Sequence, residues 1–130
     1  MSVPETGPRW VDYDYAVVRV VPSVARSAFV NVGVVVHARQ ARFLRVVCHE
    51  TPHVLDGLGM LPPALLDGSL RAYASVCDGT GVIGRYPPSE RFHWLTAPRS
   101  AAVQCSRVHS GRTTDPEATL MALFEMLVRV

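Results

Sequence analysis

The chain has 130 residues, 48% hydrophobic and 18% charged, with a formal net charge of +2. That length suits one domain whose core needs neither disulfide nor metal to fold, and that apolar content excludes a disordered tail. All 13 basic residues are arginine, so no lysine exists to form a Schiff base or a phosphate-binding loop, and a charge so near balance argues against a nucleic-acid surface.

The longest apolar run, Val30 to Val36, is interrupted by Asn31 and Gly33. It falls far short of the ~20 residues that span a bilayer. Met1 to Trp10 has neither a basic n-region nor an apolar h-region, so no signal peptide is expected. The expectation is a soluble cytoplasmic protein with no membrane contact. Residues 1–130 read as a single domain, with residues 1–12 as a flexible extension. Cys48, Cys77 and Cys105 form an odd set without a C-x-x-C pair, which fits reduced, buried thiols.

Tyr15 to Val21 is a continuous β-branched run ending at Pro22, as in a strand covered on both faces. A second strand over Val30 to His37 would place Val30, Val32, Val34 and Val36 on one face. Gly33 in its middle suggests a bulge or a close backbone approach. After a short turn, Arg42 to Cys48 reads as a third strand. Connections this brief make an antiparallel meander. Leu66, Leu70, Tyr73 and Cys77 then form one apolar helical stripe, which Asp78-Gly79 ends. Ser89 could cap a short helix carrying Phe92, Trp94 and Leu95, closed by Pro98. Ala101 to Val108 alternates like a half-buried strand. The last helix has Asp115 as N-cap, Pro116 at its first position and Glu117 facing the dipole. Its core stripe is Leu120, Leu123, Phe124, Leu127 and Val128, and Glu125 can pair with Arg129. The order predicts an α+β fold: an antiparallel sheet, the three-strand meander plus a later strand, with helices on one face.

His49-Glu50-Thr51-Pro52-His53 satisfies H-E-x-x-H, but zinc hydrolysis needs both histidines on one helix face. Pro52 denies that helix, so no metal site is expected. Gly79-Thr80-Gly81-Val82-Ile83-Gly84 satisfies G-x-G-x-x-G, yet it follows a helix and precedes Pro87-Pro88, the wrong setting for a dinucleotide. No cofactor is expected. The densest polar cluster is Arg99, Ser100, Gln104, Ser106, His109, Ser110 and Arg112; with Arg99, Ser100, Gln104, Ser106 and His109 as candidate binding residues goes Asn31, which interrupts a valine strand where an asparagine needs a partner. Arginine can grip a carboxylate or phosphate, and histidine can act as acid or base.

Tyr13 to Pro22 and Phe29 to Val34 resemble the opening of a bacterial family known as domain of unknown function 3037. So do Ile83-Gly84-Arg85, Arg91-Phe92, Trp94-Leu95, Ala97 to Ser100, Gln104, Ser106, Val108-His109 and Gly111. Asp115-Pro116, Leu120, Leu123-Phe124 and Leu127-Val128 resemble its end. His49 to Leu66 departs from it. The resemblance assigns no activity. It implies an accessory role beside a HipA-like kinase protein.

Two functions remain open. One is a protein-binding module with an exposed apolar sheet face, whose partner could be that kinase protein or a second copy of the chain. The other is a small enzyme that anchors an anionic substrate on Arg99 and uses His109 as acid or base. On a straight strand those two residues would lie roughly 30 Å apart. Either the strand bends back near Gly111, or they serve different neighbours.

Overall fold

The computed structural model describes residues 9–23, 28–49, 63–98 and 103–128. Strands β1 (Val11–Ser23), β2 (Ala28–Ala38) and β3 (Phe43–Cys48) form the expected antiparallel meander. There follow helix α1 (Pro63–Asp78), a 3-10 turn at Ile83–Arg85, helix α2 (Pro88–Thr96), strands β4 (Val103–Cys105) and β5 (His109–Thr113), and helix α3 (Pro116–Leu127). The sheet order is β3-β2-β1-β4, and β5 also pairs with β1. This is an α+β fold on an antiparallel sheet.

The helices lie on both faces of that sheet, not on one. Tyr73, Val76 and Cys77 of α1 and Phe92 and Leu95 of α2 pack with Ala16, Val18, Val20 and Val35. On the opposite face, Leu120, Leu123 and Phe124 of α3 pack with Val34 and Val36. A strand apolar on both sides must be covered on both sides, and α3 supplies the second cover. The apolar sheet face expected to stay open for a partner is therefore occupied by the chain's own helix.

The valines of β2 are also split between faces. Val18 pairs with Gly33 but Arg19 pairs with Asn31, so β2 carries one extra residue there, Val32. The bulge reverses the alternation. Val30 and Val32 thus join the α1–α2 core while Val34 and Val36 meet α3.

Strand β1 begins at Val11, and Val11 and Asp12 pair with Thr113 and Arg112. These two residues belong to the sheet and not to an extension. The strand read over Ala101 to Val108 is shorter, Val103 to Cys105, and a further strand, β5, follows. The N-cap of α2 is Pro87 rather than Ser89, with no side-chain cap bond. At α3 the reading of the sequence matches: Asp115 Oδ1 accepts from the Ala118 amide at 3.1 Å, and Pro116 opens the helix. The Glu125–Arg129 pair lies outside the described residues.

Candidate functional site

Three of the strands bring polar side chains into one rung on the α3 face. Asn31 of β2 lies opposite Arg19 of β1, and Arg19 lies opposite Gln104 of β4. The amide of Asn31 donates from Nδ2 to the Leu127 carbonyl at 3.0 Å. A carbonyl accepts only a donor, so this bond orients the amide and leaves Oδ1 elsewhere. The Arg19 guanidinium stacks on Phe29, its Cζ 4.0 Å from the ring centroid, and Phe29 is half exposed. Both Arg19 Nε and Asn31 Oδ1 are buried without a hydrogen bond.

Asn31 and Gln104 of the polar cluster are thus brought together, and Arg19 between them is the residue that sequence reasoning missed. One signal was available: Arg19 is the single charge within the run Tyr15 to Val21. Arg99 and Ser100 lie outside the described residues.

Ser106 and His109 do not join this rung. The Ser106 hydroxyl accepts from the Val17 amide at 2.9 Å and donates to the Arg107 carbonyl at 2.9 Å. The Ser106 amide in turn donates to the Val17 carbonyl at 2.8 Å. The side chain thus stands in for a ladder bond where β4 stops, which is an architectural duty. His109 faces Tyr15, with ring centroids 5.2 Å apart. The chain from Val103 to Thr113 follows β1 without doubling back at Gly111. Gln104 and His109 stand opposite Arg19 and Tyr15, about 13 Å apart along the strand.

The two motif matches have structural explanations. The His49 ring packs near Phe124, with centroids 6.0 Å apart, and its amide donates to the Val32 carbonyl. Residues 50–53 lie outside the described residues. No group of three or more His, Cys, Asp or Glu side chains is placed to hold a metal ion among the described residues. In the glycine motif, Gly79 takes φ +83° where α1 ends, and its amide donates to the Val76 carbonyl. A Cβ on Gly84 would sit 2.4 Å from the Gly79 carbonyl carbon. These glycines close a tight helix-to-turn connection. Arg91 fastens it, donating from Nη1 to the Val76 and Cys77 carbonyls at 2.8 Å each and from Nε to the Tyr86 carbonyl at 2.9 Å.

The Cys48 and Cys77 thiols are poor nucleophiles. Burial raises Cys48 to about 12, with Cys105 adding to the effect. Cys77 is raised to about 12, chiefly by burial and then by Asp78. A thiol reacts through its thiolate, so native protein at neutral pH should leave Cys48 and Cys77 unmodified by a thiol-disulfide reagent that labels them fully after denaturation. Rapid labelling of either in the folded protein would contradict this environment.

His37 is buried, stacks on Phe92 at 5.2 Å between centroids, and has no hydrogen bond at Nε2. Burial lowers its pKa, Asp14 opposes that shift, and Arg39 and Arg91 reinforce it. The unfolded chain takes up the proton near the ordinary value of 6.5, while the native state resists it. Stability from this residue is therefore present above about pH 6.5 and falls as pH drops, until native His37 itself titrates. Denaturant titrations across that range should show a shallower acid loss for His37→Gln. Identical slopes would assign the loss to other groups.

An open groove of about 560 Å³ runs along the outer side of α2, lined by Ile83, Tyr86, Ser89, Glu90, His93, Trp94 and Ala97. Tyr86 and Trp94 are both exposed there.

The sequence profile of a family described as "Protein of unknown function (DUF3037)" matches residues 15–128. The chain belongs to this family. The match spans both faces of the sheet, the groove and the Asn31–Arg19–Gln104 rung. No curated protein and no solved structure matches the chain. Among the described residues no helix is long and apolar enough to cross a membrane.

Proposed function

We propose that this DUF3037 domain is a protein-binding accessory module, and that the groove on α2 is its docking surface. The observation that carries this reading is an open apolar channel with two exposed aromatic rings, Tyr86 and Trp94, at its wall. Such rings, fixed on a rigid element and ringed by a few polar groups, are the usual anchors of an interface. Glu90 on the rim would favour a basic neighbour. The occupant is thus a partner segment presenting an apolar side chain to Tyr86 and Trp94 and a basic group to Glu90. The family resemblance supports a HipA-like kinase protein as its source.

The enzyme reading has less to support it. The Ser106 hydroxyl is committed to backbone, the Cys48 and Cys77 thiols are held protonated, and His109 stacks on Tyr15. Catalysis needs such groups to converge on one reacting atom.

The test is calorimetric titration of the domain with a HipA-like kinase protein. Trp94→Ala and Tyr86→Ala should each weaken binding at least about tenfold, as anchor residues do, with unchanged melting. Full binding by the double variant would reject the groove. Sedimentation of the domain alone tests the other occupant: a dimer lost in Trp94→Ala would assign the groove to a second copy.

A further inference from the structure

Strand β5 is an open edge of the sheet: it pairs with β1 and with no other described strand. The direction of its backbone groups follows from β1. The Val17 carbonyl accepts from the Ser106 amide, so Val17 turns its backbone toward the side of β4 and β5. Backbone direction alternates along a strand, so Tyr15, Tyr13 and Val11 turn the same way. Their partners His109, Gly111 and Thr113 face inward to meet them. The N–H and C=O groups of Ser110 and Arg112 therefore point away from the sheet, and both residues are exposed. Such a row of donors and acceptors is a template for another strand.

The side chains decide which strand fits. On one face, Ser110 Oγ donates to Asp14 Oδ1 at 2.5 Å, and Arg112 Nε lies 3.4 Å from Asp12 Oδ1. On the other face Gly111 presents no side chain, and the Tyr13 phenol fills the space: a Cβ there would sit 2.6 Å from Tyr13 Oη. A second β5, laid antiparallel with Gly111 against Gly111, sets Ser110 opposite Arg112 of the second copy, and Arg112 opposite its Ser110. These are the residues whose backbone groups face outward, so each of the two pairs exchanges both N–H···O bonds. Gly111 falls at the close pair between them, about 4.5 Å between Cα atoms, where it has no side chain to collide.

Charge selects the same register. Arg112 of the second copy lands beside the Asp14–Ser110 pair, about 10 Å from Asp14 across two strand spacings, a span its long side chain covers. No like charges stand directly opposite. A slip of one residue would set outward-facing groups against inward-facing ones. Centring the pair on Arg112 would place the two guanidinium groups against each other, which is unfavourable.

We infer that β5 pairs with β5 of a second copy about a twofold axis at Gly111, joining two sheets into one. The contact is isologous, so it closes as a dimer. Its edge is short, so the dimer is weak and reversible, with a dissociation constant in the micromolar range. It does not involve the groove on α2.

The test is sedimentation equilibrium of the full chain from about 5 to 500 µM, a range that brackets such a constant. A monomer–dimer equilibrium is expected. Amide exchange at the two ends of that range should slow at least about fivefold for Ser110 and Arg112 in the dimer, and leave Gly111, already bonded to β1, unchanged. Arg112→Pro removes only an outward N–H, a change edge strands tolerate, and should abolish the dimer. Arg112→Glu keeps the backbone and sets a carboxylate near Asp14 of the second copy; it should weaken the dimer at least about tenfold. Trp94→Ala should leave the dimer intact. A monomer at every concentration, or unchanged exchange at Ser110 and Arg112, would overturn the inference. A dimer that survives both Arg112 variants but not Trp94→Ala would also overturn it and belong to the groove.

Discussion

Replacing Phe124 with alanine should destabilise the protein by about 3–5 kcal/mol, the range for truncating a buried aromatic ring. Phe124 is only 6% exposed and lies in the cluster that joins α3 to Val34 and Val36. Its ring also lies near His49 at the end of β3. A neighbouring truncation on the same helix provides the control. Met126 is 60% exposed, and its replacement by alanine should stay within about 0.5 kcal/mol of wild type. Thermal melting should separate the two variants by roughly 10–20 °C, given the usual conversion for a chain of this size. A loss below about 1 kcal/mol for Phe124→Ala would make α3 peripheral and reopen the sheet face beneath it as a binding surface.

A methyl group added at Gly33 should be nearly as disruptive for the opposite reason. Its Cβ would lie 2.7 Å from Cys48 Sγ and 2.7 Å from the Val47 carbonyl oxygen. Replacing glycine in a strand normally gains up to about 1 kcal/mol from lost backbone entropy. Overpacking of a filled core costs about 1–3 kcal/mol, and here one obstacle is backbone that cannot rotate away. Gly33→Ala should therefore be destabilised by about 1–3 kcal/mol in denaturant titration. Adding Cys48→Ala removes the sulfur and leaves the carbonyl. Partial rescue by the double variant is expected. Complete rescue would show that the sulfur alone fills the space and that β3 can yield.

Much of this fold was written in local pattern. The β-branched runs, the brief connections and the stop at Asp78-Gly79 are short-range features, and the structure follows them in the meander and at the end of α1. The same holds at the start of α3, where Asp115 and Pro116 do what their chemistry dictates within one turn. Gly33 was legible as a bulge or a close approach, and it is part of both. The limit was reached where a residue's role depends on something distant in the chain. Alternation alone put four valines of β2 on one face, but the extra residue Val32 is visible only against the register of β1. Ser106 looked available for chemistry until its hydroxyl was found on Val17, 89 positions away.

The polar cluster shows the same division. Asn31 was marked as needing a partner because an amide cannot be buried alone. Its partner, Leu127 on α3, follows only from the helix crossing that face. Arg19 was invisible as a site residue because a single arginine in a strand is ordinary; the pairing of β1 with both β2 and β4 sets it between Asn31 and Gln104. The sequence by itself determined the meander strands, the three helices, the antiparallel order of the meander and the family. Only the tertiary structure decided which face each helix covers and which polar groups share a rung. Periodicity and capping act within a few residues, whereas faces and rungs are settled by burial and strand register between segments far apart in the chain.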